Sequence, residues 1–392
     1  MPIKIGIEAI DFYTPGYYLD LNRLATARAV DPNKFQVGLG QKKMAVIPPD
    51  EDVVTMGAAA AHRLLEGRDR NPIEYLIFAT ETGVDQSKAA GLFVHRLLNL
   101  PERCRVLEVK QACYGATAAL QLGMCFLQAH PDKNILLIAS DIARYGLHSK
   151  GESSQGGGAV AMLLAQNPAI LAIEPESGFY TEDTMDFFRP NYSEEAIVDG
   201  QYSCELYLKL LERTWTQYQE RSLRSFSDHA HFCYHVPVPR LVEKAHQYLR
   251  KINHLPKLSP EDLQAVLTEA LHYGRVIGNC YTAALYLSFI ALLDQHLAPL
   301  SGQRIGFYSY GSGCMGEFFS GVLQAGYQRH LYQAEHQALL ANRQALSVPE
   351  YEDFYCFEYP KGGQTLVLPR YTQGPYRLSA IEAHQRIYEQ VD

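Results

Sequence analysis

The feature that most constrains this chain is an alternation, beginning at residue 73, of short apolar strands with segments of helical spacing. Residues 73–80 (I-E-Y-L-I-F-A-T) read as a strand, and 87–98 carry apolar residues at helical intervals. Residues 105–109 alternate as a short strand, and 112–127 form a helix rich in small residues. The run 134–140 (N-I-L-L-I-A-S) is continuously apolar, as expected of a strand covered on both faces. Such alternation predicts an α/β protein of layered helices and mixed sheets. A Gly-rich entry into an apolar strand at 156–164 is echoed by an apolar strand at 304–310 that leads into Gly311-Ser312-Gly313-Cys314. The echo suggests two βα-rich halves, 1–166 and 167–392, with a tail from about Tyr332 that is helical, then irregular, and packed on the outside.

The 392 residues are enough for a large core. With 35 Lys and Arg against 43 Asp and Glu, the net charge of −8 argues against a protein that wraps nucleic acid. The apolar stretch 281–293 is too short to span a bilayer and reads as a buried helix. The N-terminus alternates like a strand and lacks the pattern of a signal peptide, so a cytoplasmic location and no membrane partner are expected. The eight cysteines form no Cys-x-x-Cys pair; reduced thiols are expected, and the question becomes whether one of them is a nucleophile.

Cys113 stands out. It follows the strand 105–109 and precedes a helix of small residues, where the helix dipole would lower its pKa and backbone N–H groups could receive an oxyanion. Glu81 follows the strand 73–80, at the strand end where α/β folds collect their sites, and burial there would suit it as a general base. In Asp228-His229-Ala230-His231-Phe232-Cys233-Tyr234-His235, a continuous strand would project residues 229, 231, 233 and 235 from one face. Alternate residues lie roughly 6.6 Å apart, so one strand cannot gather all four around one ion, and no metal is expected. His235, at the strand exit before Val236-Pro237, is instead a candidate acid or base, able to activate a thiol. Arg240 and Lys244 follow and could form a phosphate rim.

Taken in order, Thr80-Glu81, Gln111-Ala112-Cys113-Tyr114, Arg144-Tyr145-Gly146-Leu147, Gly151-Glu152-Ser153-Ser154-Gln155-Gly156, Asp186-Phe187-Phe188-Arg189-Pro190, His235-Val236-Pro237, Gly278-Asn279 and Tyr310-Gly311-Ser312-Gly313 resemble the bacterial 3-hydroxy-3-methylglutaryl-CoA synthases of the thiolase superfamily. The resemblance implies a five-layered αβαβα thiolase-like fold made of two related halves, and a homodimer. It implies condensation of acetyl-CoA with acetoacetyl-CoA through an acetylated Cys113, with CoA thioesters as substrates and no cofactor. On that resemblance Glu81 is the general acid/base and His235 holds the acetoacetyl thioester carbonyl. Asn279 and Ser312 surround the acyl pocket, Tyr145, Ser154 and Ser203 line it, and Asp31 and Lys244 contact the CoA ester.

The chain departs from that pattern at Gln111 (often Glu), Ser153-Ser154 (often Pro-Thr), Phe188 (often Trp) and Arg240 (often Lys near the CoA entrance). None removes a catalytic group. Two rivals remain at this level: a related enzyme acting on carrier-protein-bound β-ketoacyl chains, and a metal-binding or regulatory protein built on His229, His231 and Cys233.

Overall fold

The structure, a computed structural model, describes residues 3–391. Nine strands form its main sheet: β1 Ile5–Tyr13, β2 Ile73–Ala79, β3 Arg105–Val109, β4 Asn134–Ala143, β5 Gly156–Gln166, β6 Leu171–Thr181, β7 His231–Tyr234, β8 Arg304–Gly311 and β9 Met315–Leu323. Their order is β7-β8-β9-β6-β1-β5-β4-β2-β3. The seam is thin: β1 pairs with β5 from Ile5 to Tyr13 but with β6 only at Gly6↔Ala172 and Ile7↔Leu171. On each side of it a parallel pair (β2 with β4, β7 with β8) leads into an antiparallel one (β4 with β5, β8 with β9).

Helices close the strands into five layers. Helix α1 spans Leu21–Ala27, α2 Val53–Leu64, α3 Ala90–Leu97, α4 Gly115–Ala129, α5 Gly200–Ser222, α6 Pro239–Ile252 and α7 Ala284–Gln295. The middle layer is α4 and α7: Ala116, Leu120 and Leu127 of α4 and Phe289 and Leu292 of α7 share one core with Ile77 and Leu137 on one side and Ile305 and Phe307 on the other. Outside the first half, α2 and α3 pack on Leu76, Phe78 and Ile138. Outside the second, α5 and α6 pack on Phe232, Tyr308 and Phe318. Helix, sheet, helix, sheet, helix is the arrangement expected of the fold class. A strand buried on both faces cannot alternate polar with apolar residues, which is why 135–139 is uniformly apolar.

Local chemistry sets the boundaries. Helix α2 opens on a capping box, with Asp52 accepting from the Val54 and Thr55 amides and Thr55 Oγ1 accepting from the Asp52 amide. Helix α3 starts at Ala90, three residues later than its periodicity predicts. Asp85 ties up the Ser87 and Lys88 amides in a separate turn, and Glu108 of β3 accepts from the Ala90 N–H at 2.8 Å. The tail is not peripheral. Its last strands, β10 Tyr376–Glu382 and β11 Gln385–Gln390, bury Tyr376, Leu378 and Tyr388 in the core over α2 and α3. Among the described residues no helix is long and apolar enough to cross a membrane.

Candidate active site

Glu81 lies in the turn that leaves β2. The turn wraps around Asp141 of β4, which is fully buried. One carboxylate oxygen of Asp141 accepts from Thr80 Oγ1 (2.8 Å), the Glu81 amide (2.9 Å), the Thr82 amide (3.1 Å) and Thr82 Oγ1 (2.6 Å). The other accepts from the amide and hydroxyl of Thr282, which stands just before α7. A buried anion saturated with donors in this way fixes both the Glu81 turn and the entry to α7.

Cys113 faces Glu81, its thiol donating to Glu81 Oε1 at 3.3 Å. The expectation of a low-pKa thiol at a helix terminus is corrected here. Helix α4 begins at Gly115 with Tyr114 as its N-cap, so Cys113 stands outside the first turn. Burial and the facing carboxyl of Glu81 push its pKa well above the ordinary thiol value. Glu81 is pushed up to about 8, first by burial and then by the Asp141 charge, with Arg189 pulling the other way. The pair therefore rests as a thiol beside a carboxyl that readily holds a proton.

His235 follows β7 directly and is buried. Its amide donates to the Tyr308 carbonyl (2.8 Å), and Tyr207 Oη from α5 donates to its own carbonyl (2.7 Å). Burial pulls its pKa down to about 3, so the ring is neutral near pH 7, and Nδ1 is buried without a hydrogen-bond partner among the described residues. No hydrogen bond joins His235 to Cys113 or Glu81. They are related through β8, which runs from Tyr308 beside His235 to Gly311 against the Cys113 loop. A methyl group at Gly311 would meet the Gln111 carbonyl oxygen at 2.6 Å and the Tyr114 nitrogen at 2.7 Å.

Asn279 is buried and bridges Tyr145 (Nδ2 to Oη, 3.4 Å) and the Tyr281 amide (2.9 Å to Oδ1). Tyr145 also receives order from Gln155, whose Oε1 accepts from its amide at 2.9 Å. The Ser312 carbonyl accepts from Gln111 Nε2 (3.3 Å). Ser154 Oγ donates to the Gly151 carbonyl (2.8 Å). Ser203 is in the first turn of α5, one turn before Tyr207. Asp31, Arg240 and Lys244 lie at the surface: Asp31 accepts from the Asn33 amide (3.0 Å), Arg240 is ion-paired with Glu243 (2.6 Å), and Lys244 is exposed.

Sequence reasoning assigned no role to four contributors. Asp141 is the one charged residue in the strand Asn134–Ala143, the one signal that could have marked it. Asp186 accepts from the Gly313 amide and Tyr310 Oη, both at 2.9 Å, and so holds the Ser312 loop. Tyr281, with φ 42°, packs edge-on to Tyr145 and Phe187. Tyr207 bonds His235. A cavity of about 1310 Å³ adjoins this centre, lined by Glu81, Gln111, Phe187, Arg189 and Ser312 among others.

The histidine-rich segment divides. The strand begins only at His231, because 226–228 form a 3₁₀ turn closed by Ser225 and Asp228. His229, expected on the same face as its neighbours, instead packs on Trp215 and Phe318 and hydrogen-bonds Tyr218 Oη through Nε2 (2.9 Å). Cys233 points into the central core, and His231 lies against His296. Among the described residues no three His, Cys, Asp or Glu side chains are grouped to hold an ion.

Comparison with known proteins agrees with this geometry. The family model for the N-terminal part of hydroxymethylglutaryl-coenzyme A synthase matches residues 1–169, and that for the C-terminal part matches 171–254 and 250–355. The chain is 44% identical to the hydroxymethylglutaryl-CoA synthase of Enterococcus faecalis over 353 residues, 90% of this chain and 92% of that one. It is 35% identical to the polyketide biosynthesis 3-hydroxy-3-methylglutaryl-ACP synthase PksG of Bacillus subtilis over 370 residues, 89% of this chain and 87% of the relative. A crystal structure of HMG-CoA synthase complexed with CoA superposes with a TM-score of 0.93 at 39% identity, covering 99% of this chain and 100% of that one. Fold, layer order and relatives agree, and the chain belongs to the hydroxymethylglutaryl-CoA synthase family.

Proposed function

We propose that the protein condenses acetyl-CoA, acetoacetyl-CoA and water to 3-hydroxy-3-methylglutaryl-CoA and CoA. The observation that carries the reading is the Cys113 thiol held 3.3 Å from a carboxyl whose pKa burial raises to about 8. Carbon–carbon bond formation between two thioesters requires an acyl carrier, a base for a weakly acidic C–H and donors for oxyanions. Cys113 Sγ attacks the acetyl carbonyl, its proton leaves to a neighbouring base, and the bond to the CoA sulfur breaks. Ionised Glu81 then takes a proton from the acetyl methyl, and the resulting carbon nucleophile adds to the C3 carbonyl of acetoacetyl-CoA. Neutral His235 can hold the acetoacetyl thioester carbonyl while the new alkoxide is protonated. Water finally cleaves the Cys113 thioester, which makes the sequence effectively irreversible. Asn279, Ser312, Tyr145, Ser154 and Ser203 surround the acyl groups in this reading, and Asp31, Arg240 and Lys244 meet the CoA portion.

The same reading takes the active form as a homodimer of chains built from two related halves, 1–166 and 167–392. The edge strand β3, paired only with β2 among the described residues, supports a partner along its open side.

The test is mass spectrometry of the protein after acetyl-CoA and then after a chase. Acetyl on Cys113, discharged by acetoacetyl-CoA with formation of the product, is the expected result. Cys113→Ser should take no acetyl. Glu81→Gln should take it and fail to condense; unimpaired condensation by that variant would remove Glu81 from the role of base. The carrier-protein reading draws on the 35% identity to the ACP synthase, below the 44% to the HMG-CoA synthase. It predicts an acetyl group that survives acetoacetyl-CoA and leaves when the acetoacetyl group is presented on a carrier protein. A folded protein that takes no acetyl from acetyl-CoA would sink the proposal.

A further inference from the structure

Residues 28–40 form an arm, mostly exposed, that carries Asp31 and a single helical turn, Asn33–Gln36. Both ends of this exposed arm are held by arginines whose guanidinium groups are largely buried. At the first end, Arg28, just after α1, makes a two-pronged contact with Glu152 (Nε to Oε2 2.9 Å, Nη2 to Oε1 2.7 Å). Glu152 is buried and also accepts from the His148 amide (3.0 Å) and from Tyr351 Oη (3.3 Å). Arg28 reaches Glu352 as well (2.7 Å), on the same helix as Tyr351, Val348–Tyr355. At the other end Arg275 donates to the Gly40 carbonyl (2.8 Å) and pairs with Glu243 (3.0 Å). Glu243 is itself nearly buried on α6 and takes Arg240 on its second oxygen. The Arg240 amide donates to the Leu39 carbonyl (3.0 Å), and the Lys42 amide to the Arg275 carbonyl (2.8 Å).

The two carboxylates are placed informatively. Glu152 lies two residues before Ser154, and Glu243 lies between Arg240 and Lys244. The arm is therefore clipped to the two segments that carry the other surface contacts assigned above to the CoA ester and its pocket. Lys34, Lys42 and Lys244 around it are exposed and form no ion pair among the described residues. These cations, with the half-exposed Arg240, suit a ligand whose far end bears several phosphates. Burying two Arg–Glu pairs is a weak way to gain stability but a good way to fix geometry: the two-pronged Arg28–Glu152 contact allows one orientation, and Arg275 is fixed by splitting its nitrogens between Glu243 and the Gly40 carbonyl.

We propose that Arg28–Glu152 and Arg275–Glu243 are positioning pairs that preset the arm at the distance from α6 required by the nucleotide end of a CoA thioester. They act on the part of the substrate remote from the reacting carbon. This rests on the proposed acetyl transfer to Cys113, and the experiment separates the two claims. Acetylation of Cys113 is measured with acetyl-CoA and with acetyl-pantetheine, which has the same thioester and pantetheine but no nucleotide or phosphates. The proteins are the wild type, Arg28→Gln, Arg275→Gln and the double variant Arg28→Gln/Glu152→Gln, which removes both charges of the buried pair and leaves only the partly exposed Glu352 without its partner. Each single variant should raise KM for acetyl-CoA about tenfold, the factor that 1.4 kcal/mol of binding represents. The maximal rate, and kcat/KM for acetyl-pantetheine, should stay within about twofold. The double variant, which keeps amide hydrogen bonding, should recover part of the loss. Equal losses on both thioesters would make the pairs general supports of the pocket and overturn the proposal, as would an unchanged KM for acetyl-CoA in both single variants. Failure of the wild type to take acetyl from either thioester would instead overturn the underlying reading of Cys113.

Discussion

Replacing Asp141 by Asn tests whether one buried anion both builds the Glu81 turn and raises the pKa of Glu81. Six donors converge on its two oxygens, four on one and two on the other. A carboxamide keeps a single acceptor oxygen. Its least costly orientation leaves that oxygen on the Thr80–Thr82 side and turns the NH₂ toward Thr282. The Thr282 hydroxyl can then donate to the Ala79 carbonyl, already 3.3 Å away, but the Thr282 amide is left buried with no acceptor. That orphaned donor costs about 1–3 kcal/mol, and four bonds to a charged oxygen weaken to neutral ones. Because a charge no longer has to be buried, part of this is returned, and the expected net loss is about 2–4 kcal/mol, read by denaturant unfolding. The second readout is electrostatic. The Asp141 charge disfavours ionisation of Glu81, and Glu81 works as a base only when ionised, so removing that charge should move the rising limb of activity to lower pH. Single-turnover discharge of the acetyl-enzyme from about pH 6 to about pH 9 follows that limb directly. A destabilised variant whose limb stays in place, or moves to higher pH, would refute the electrostatic half. An unchanged stability would refute the hydrogen-bond count.

Two further outcomes are expected. Gly178→Ala on β6 would set a methyl 2.0 Å from the Thr214 carbonyl and 2.5 Å from the Tyr218 nitrogen of α5. Both obstacles are backbone, so the helix must lift off the sheet, and a loss of 3 kcal/mol or more, on the order of severe overpacking, should appear as a lowered melting temperature; a wild-type melt would refute the packing. Burial holds the His235 ring far below its ordinary pKa, so nitrogen NMR of labelled histidine should find it neutral throughout about pH 5 to about pH 8, and a titration midpoint near the free imidazole value would contradict that burial.

Much of the layered core can be read directly from the chain, because strands covered on both faces must be apolar throughout. Residues 105–109 coincide with β3, and the apolar runs at 134, 156 and 304 open β4, β5 and β8 at those residues. The helix ends were harder. The start of α3 depends on Glu108, which belongs to a strand and arrives only on folding. The C-terminal hairpin was read as irregular because its turn is Ala383-His384, with φ 45° and 69°, in place of the Asn-Gly or Asp-Gly pairs that announce such turns. Glu81, Cys113 and His235 were legible as residue types at strand ends. The high pKa of Cys113 was not, since it comes from burial and from a carboxyl 32 positions away that the fold sets against it. Asp141 and Asp186 escaped for the same reason: each works through amides and hydroxyls that only the folded chain brings to it.

The central place of β1 in the sheet also sets an order of assembly. Residues 5–13 are made about 150 residues before their hydrogen-bond partners, residues 159–166 and 171–172. At roughly 5–20 residues per second, that is a wait of about 10–30 s during which I-G-I-E-A-I-D-F-Y is an apolar segment with both edges open. Loop closure over this distance slows folding further. The newborn chain must therefore be kept from pairing with other chains until residues 159–172 have been made.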